Sequence, residues 1–93
     1  MGHEVVENVE TRDGDRVIRR KIYRTDDEAY PSGFRYAFHY GYTDGRGTIL
    51  RYDNENRTRG RHERHTEDGI ETIDFPGILE LRDRFQTEIE DLP

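Results

Sequence analysis

The sequence predicts an α+β domain: an antiparallel sheet of four to five strands with one C-terminal amphipathic helix packed on one face. Three observations carry this expectation. Residues 34–42 alternate without a break, so that Phe34, Tyr36, Phe38, Tyr40 and Tyr42 share one face of a strand. Asp13-Gly14 stands between an acidic and a basic segment and is a strong hairpin signal. Ile78, Leu81, Phe85, Ile89 and Leu92 recur at steps of three and four, one stripe of a helix.

The elements follow in order along one domain, 1–93. Residues 4–24 form a hairpin. A type I′ turn at Asp13-Gly14 opposes Val9 to Ile18 and Val5 to Ile22, with Glu7 opposite Arg20. The acidic first strand and the basic second strand then neutralise one another, a simpler reading of Arg16, Arg19, Arg20, Lys21 and Arg24 than a phosphate site. Residues 25–33 carry acids, then Pro31 and Gly33, and read as a loop. A second hairpin covers 34–53. A three-residue loop in its turn at Asp44-Gly45-Arg46-Gly47 would place Leu50 and Tyr52 on the aromatic face, Arg51 opposite His39 and Asp53 opposite Ala37; a one-residue slip exchanges the faces, so loop length decides the register. The aromatic row reads as core; the rival reading is a stacking platform for single-stranded nucleic acid. Residues 54–69 are a polar loop, in which 61–66 can be extended, followed by a turn at Glu67-Asp68-Gly69. Residues 70–92 hold a last strand, Ile70 to Phe75, and the helix, with Pro76 in its first turn.

Composition narrows the function classes. Of the 93 residues 39% are charged, and the formal net charge is −6. Leu, Ile, Val and Phe make up about a fifth, near the level at which a charged chain is disordered. Six Tyr and four Phe supply the missing apolar area. The absence of Cys excludes disulfides and thiolate chemistry. No apolar run is long enough to span a bilayer, and the start of the chain shows no signal-peptide pattern, so no membrane association and a cytoplasmic location are expected. Lys21 is the single lysine among 15 basic residues. An acid-rich, lysine-poor surface resembles the haloarchaeal type, in which salt screens carboxylate repulsion; GC-rich codon usage gives the same Arg bias.

Reactive side chains concentrate between Arg51 and His65. Proton transfer near neutral pH calls for His, and an adjacent Arg suits phosphate. The candidate catalytic residues are His65 and His62, with Asp53 to orient a His or an attacking 2′-hydroxyl, and His39. Arg51, Arg64, Arg61 and Arg59 are the candidate phosphate or RNA ligands, with Arg57 in the same stretch. This set suits RNA cleavage without a metal or other cofactor. His62, His65, Asp53 and Glu63 together form a weaker N/O metal pattern. Two His three apart in an extended segment point to opposite faces, which argues against joint ligation. The same loop also fits a merely solvated polar segment.

The order Phe34-Arg35-Tyr36-Ala37-Phe38-His39-Tyr40, then Ile49-Leu50-Arg51-Tyr52-Asp53-Asn54-Glu55, then a His-bearing basic segment, then Ile73-Asp74-Phe75 before an amphipathic helix, resembles the TumE family. The family segment typically reads His-x-His, whereas this chain has His62-Glu63-Arg64-His65, one residue longer or with Glu63 at the first His position. The resemblance implies a toxin of a toxin–antitoxin pair with a helix-turn-helix partner encoded nearby. The resemblance names no reaction; the cluster from Arg51 to His65 points to RNA cleavage or, alternatively, to non-catalytic binding of that partner, and a homodimer is compatible with either.

Overall fold

The structure, a computed structural model, describes residues 3–55 and 59–92. Six strands run in chain order: β1 His3–Asp13, β2 Arg16–Thr25, β3 Phe34–Tyr42, β4 Thr48–Asp53, β5 Glu63–Thr66 and β6 Gly69–Thr72. Each pairs antiparallel with the next, so the sheet order is β1-β2-β3-β4-β5-β6. One helix, α1 Ile78–Glu90, packs across one face. The architecture is the expected α+β, with six strands where four to five were expected. The additional strand comes from β5 and β6, four residues each, joined by a tight turn at Glu67-Asp68. Neither carries an alternating apolar pattern, because β5 is half-buried throughout and β6 exposed throughout. Hydrogen bonding of β5 to β4 and of β6 to β5, with the charges they carry, holds them in place, and hydrophobic periodicity is blind to both.

The first hairpin is shifted from its expected register. Its two-residue turn is Gly14-Asp15, and Val9 opposes Arg20, Thr11 opposes Ile18 and Glu7 opposes Ile22. A type I′ turn needs positive φ at both central residues, but here only Gly14 has it, at 60°. That is the type II′ pattern, which asks for glycine first and lets Asp15 stay in the ordinary region. From Glu7 to Asp13 the slip is two residues in partner number, so those side chains keep their face. A bulge at Val6 then shifts the pairing to Val5 with Tyr23 and Glu4 with Arg24. The expected charge sorting is present: Arg19 donates to Glu10 at 2.7 Å, Arg24 to Glu4 at 2.6 Å and Arg20 to Glu7 at 3.0 Å.

The second hairpin has the expected pairs, His39 with Arg51 and Ala37 with Asp53. A bulge at Ile49 lets Ile49 and Leu50 both reach the core. The core lies between the even-numbered face of the sheet and the helix: Ile22, Tyr36, Phe38, Tyr40, Leu50 and Tyr52 meet Leu81, Phe85 and Ile89. The rings of the aromatic row are therefore core. Phe38 and Phe85 lie 5.5 Å apart, and Tyr52 meets Phe85 edge-on at 5.8 Å. Strand β6 ends at Thr72, short of Phe75, and Gly77 caps the helix, which leaves Pro76 just ahead of it rather than in its first turn. Ion pairs hold the helix at two places, Arg82 to Glu7 at 3.5 Å and Arg64 to Glu88 at 2.6 Å.

Candidate active site

Strand pairing assembles a polar surface on the sheet face without the helix. One row crosses β2 to β6 as Arg19, His39, Arg51, His65 and Ile70. The next reads Lys21, Ala37, Asp53, Glu63 and Thr72. The side-chain period of two puts these residues on one face while their neighbours in sequence enter the core. The loop ahead of β5 is anchored by Asn54, which is fully buried. Its Oδ1 accepts from the Tyr36 N–H at 2.9 Å and its Nδ2 donates to the Phe34 carbonyl at 2.7 Å, so the side chain continues the β3–β4 pairing past the end of β4.

Asp53 is 3% exposed. Arg51 Nε donates to its Oδ2 at 2.5 Å. Its Oδ1 lies 3.7 Å from His65 Nε2, and Glu63 Oε1 lies 3.3 Å from the same nitrogen. That Nε2 is buried and has no hydrogen-bond partner within reach at good geometry. The His65 side chain is 25% exposed, which leaves Nδ1 as the ring nitrogen available to a ligand. Arg61 stands 3.6 Å from Glu63 Oε2 and donates to Thr72 Oγ1 at 2.9 Å.

His39 lies on the other side of Arg51. Its Nδ1 is 3.4 Å from Thr48 Oγ1, and its ring lies against Gly41. A Cβ at position 41 would sit 2.8 Å from His39 Nε2 and 2.7 Å from the Gly47 carbonyl, so glycine is what leaves room for the imidazole. Burial, then Arg51 and Arg19, hold the His39 pKa below the usual histidine value. The shift favours the uncharged ring. The two rings lean apart, His39 toward Thr48 and His65 toward Asp53.

The remaining candidates lie elsewhere. His62 is on the helix side, stacked on Phe75 at 4.5 Å, with its Nδ1 2.9 Å from the Tyr36 hydroxyl. Burial lowers its pKa. His62 and His65 thus do fall on opposite faces. Arg64 is also on the helix side, forked onto Glu88 and reaching Glu71 at 3.1 Å. Arg59 stands 3.9 Å from Asp27 at the surface, and Arg57 lies outside the described residues. Of the weaker metal pattern, Asp53, Glu63 and His65 converge and His62 does not. Arg19, a neighbour of His39, did not figure among the candidates; the β2–β3 register is the signal that finds it.

No helix among the described residues is long and apolar enough to cross a membrane. No curated protein and no solved structure matches the chain. The family model described as Toxin TumE matches residues 3–93. With nearly the whole chain covered, and with the Arg51-to-His65 stretch lying inside the match, the protein belongs to the TumE toxin family.

Proposed function

We propose that this chain is the toxin component of a toxin–antitoxin pair and that it cleaves RNA at the helix-free face around His65. The observation that carries the reading is the His65 ring, with Nε2 turned to Asp53 and Glu63 and Arg51 beside it. Carboxylate oxygens 3.3 and 3.7 Å from that nitrogen favour the tautomer with the ring proton on Nε2. With its proton on Nε2, His65 offers the Nδ1 lone pair to a 2′-hydroxyl. The 2′-oxygen bonds to phosphorus, the bond from phosphorus to the 5′-oxygen breaks, and solvent at the exposed face protonates the departing oxygen. Arg51 uses Nε on Asp53 and keeps its other N–H donors for the phosphate, where negative charge builds. His39, uncharged, flanks Arg51 as a hydrogen-bonding group for the nucleotide. The test is to incubate purified protein with RNA in high salt and identify the ends by mass. A 2′,3′-cyclic phosphate with a 5′-hydroxyl supports the reading; intact RNA overturns it.

A second reading, docking of a helix-turn-helix antitoxin without catalysis, draws on a different observation. The outer edge of β1 pairs with no strand in the described chain, and Val5, Val6 and Val9 are exposed along it, Val5 at 60%. Exposed apolar edge strands recruit partners. Failure of the neighbouring gene product to co-purify would count against it.

A further inference from the structure

Two carboxylates directly opposed on neighbouring strands repel, and burial strengthens the repulsion. Asp53 and Glu63 are such a pair, with side chains 5% and 12% exposed. Their oxygens are divided by role. The outer ones, Asp53 Oδ2 and Glu63 Oε2, face Arg51 and Arg61. The inner ones, Asp53 Oδ1 and Glu63 Oε1, face His65 Nε2. One oxygen or nitrogen from each of the three residues lies within 4.8 Å of the others. Donors about 2.1 Å from one ion stand about 3.0 Å apart at octahedral and about 3.4 Å apart at tetrahedral angles. The Nε2 distances of 3.3 and 3.7 Å are near these spacings, and the two carboxylate oxygens, within 4.8 Å of each other, close onto one ion by side-chain rotation. Arginines on the outer oxygens are the kind of support that holds coordinating carboxylates in place.

We propose that Asp53, Glu63 and His65 bind one divalent transition cation and that its occupancy takes His65 out of proton transfer. The binding half stands alone. The inhibitory half rests on the reading of His65 as the proton acceptor. An imidazole with two carboxylates suits zinc or manganese better than magnesium, which binds through oxygen and keeps its water. A cation on Nε2 occupies the position of the Nε2 proton. The neutral ring then carries its proton on Nδ1, and the lone pair that would meet the 2′-hydroxyl is gone. The Nε2–H bond breaks as the cation binds, solvent takes that proton and supplies one to Nδ1, no bond between heavy atoms changes, and zinc is exchanged by chelation.

The experiment uses the full chain, stripped with chelator and titrated with Zn²⁺ in chloride buffer. Calorimetry reads the stoichiometry, and nitrogen-detected imidazole spectra read each ring. The expected result is one Zn²⁺ per chain, a shifted His65 Nε2 with its tautomer locked at Nδ1–H, and unmoved His39 and His62 rings. Glu63→Gln, checked for an unchanged fold, weakens binding about tenfold or more. RNA cleavage slows with Zn²⁺ and recovers with chelator. A His65 ring unmoved by excess Zn²⁺ overturns the site, and so does undiminished affinity in a folded Glu63→Gln. If that variant does not fold, the parent spectrum decides. Cleavage unaffected while His65 is shifted overturns the inhibitory half. RNA left intact without zinc overturns the proposed reaction and not the cation site.

Discussion

Two arginines, Arg51 and Arg64, look alike as phosphate ligands in the sequence, and the structure gives them different duties. Arg64 is 26% exposed and Glu88 24%; Nε and Nη2 of Arg64 both reach the Glu88 carboxylate, at 3.2 and 2.6 Å. This fork ties β5 to the last turn of the core-covering helix. Hydrogen bonds to charged groups contribute about 1.5–3 kcal/mol where partly buried. The arm to Glu71, whose side chain is 57% exposed, adds little. Arg64→Ala is expected to cost about 2 kcal/mol, which lowers Tm by about 8–16 °C in a domain of this size. Thermal melting followed by circular dichroism measures this, and RNA cleavage well below Tm measures function per folded molecule. Cleavage by Arg64→Ala is expected to match the parent. A variant that melts within about 2 °C of the parent and has lost cleavage would refute the reasoning and return Arg64 to the phosphate.

Gly41→Ala drives a methyl into the Gly47 carbonyl and the His39 ring; a loss of about 1–3 kcal/mol in denaturant melts is expected, with a displaced His39 resonance, and an unperturbed ring would count against the packing described. Because the folded state holds His39 below the ordinary histidine pKa, it binds fewer protons there than the unfolded chain. Its contribution to stability is complete above the ordinary value and declines as pH falls below it, so His39→Gln should flatten the acid side of the stability curve. The net charge of −6 and the lysine-poor surface predict a melting temperature that rises in molar KCl. A Tm unchanged between dilute buffer and multimolar KCl would contradict the salt-adapted reading of the composition.

The parts of the fold that repeat an apolar signal were legible in the chain. The unbroken alternation of β3 and the stripe on α1 located the core, whereas the β3–β4 pairing hung on loop length, which the structure settles with Leu50 and Tyr52 on the aromatic face. Strands β5 and β6 were less legible because their pairing rests on backbone hydrogen bonds and charge, neither of which has a period. The first hairpin slipped because Asp13-Gly14 and Gly14-Asp15 both supply a glycine, and only backbone φ distinguishes the two turns. At the site, the period of two already separated His62 from His65. It could not divide the arginines: Arg51 and Arg64 differ in face only once the register fixes Tyr52 opposite Arg64. Likewise Asn54, in the most recognisable motif of the chain, is a buried backbone mimic rather than a reactive group.

The proposed chemistry on RNA belongs to the helix-free face around His65. Its most direct test is cleavage by the parent, His65→Ala and His62→Ala in parallel, in chelator and high salt, with each fold confirmed by its spectrum. The parent is expected to cleave, His65→Ala to be slower by about 10²-fold or more, and His62→Ala, where folded, to retain cleavage. Equal cleavage by the parent and His65→Ala would contradict that assignment.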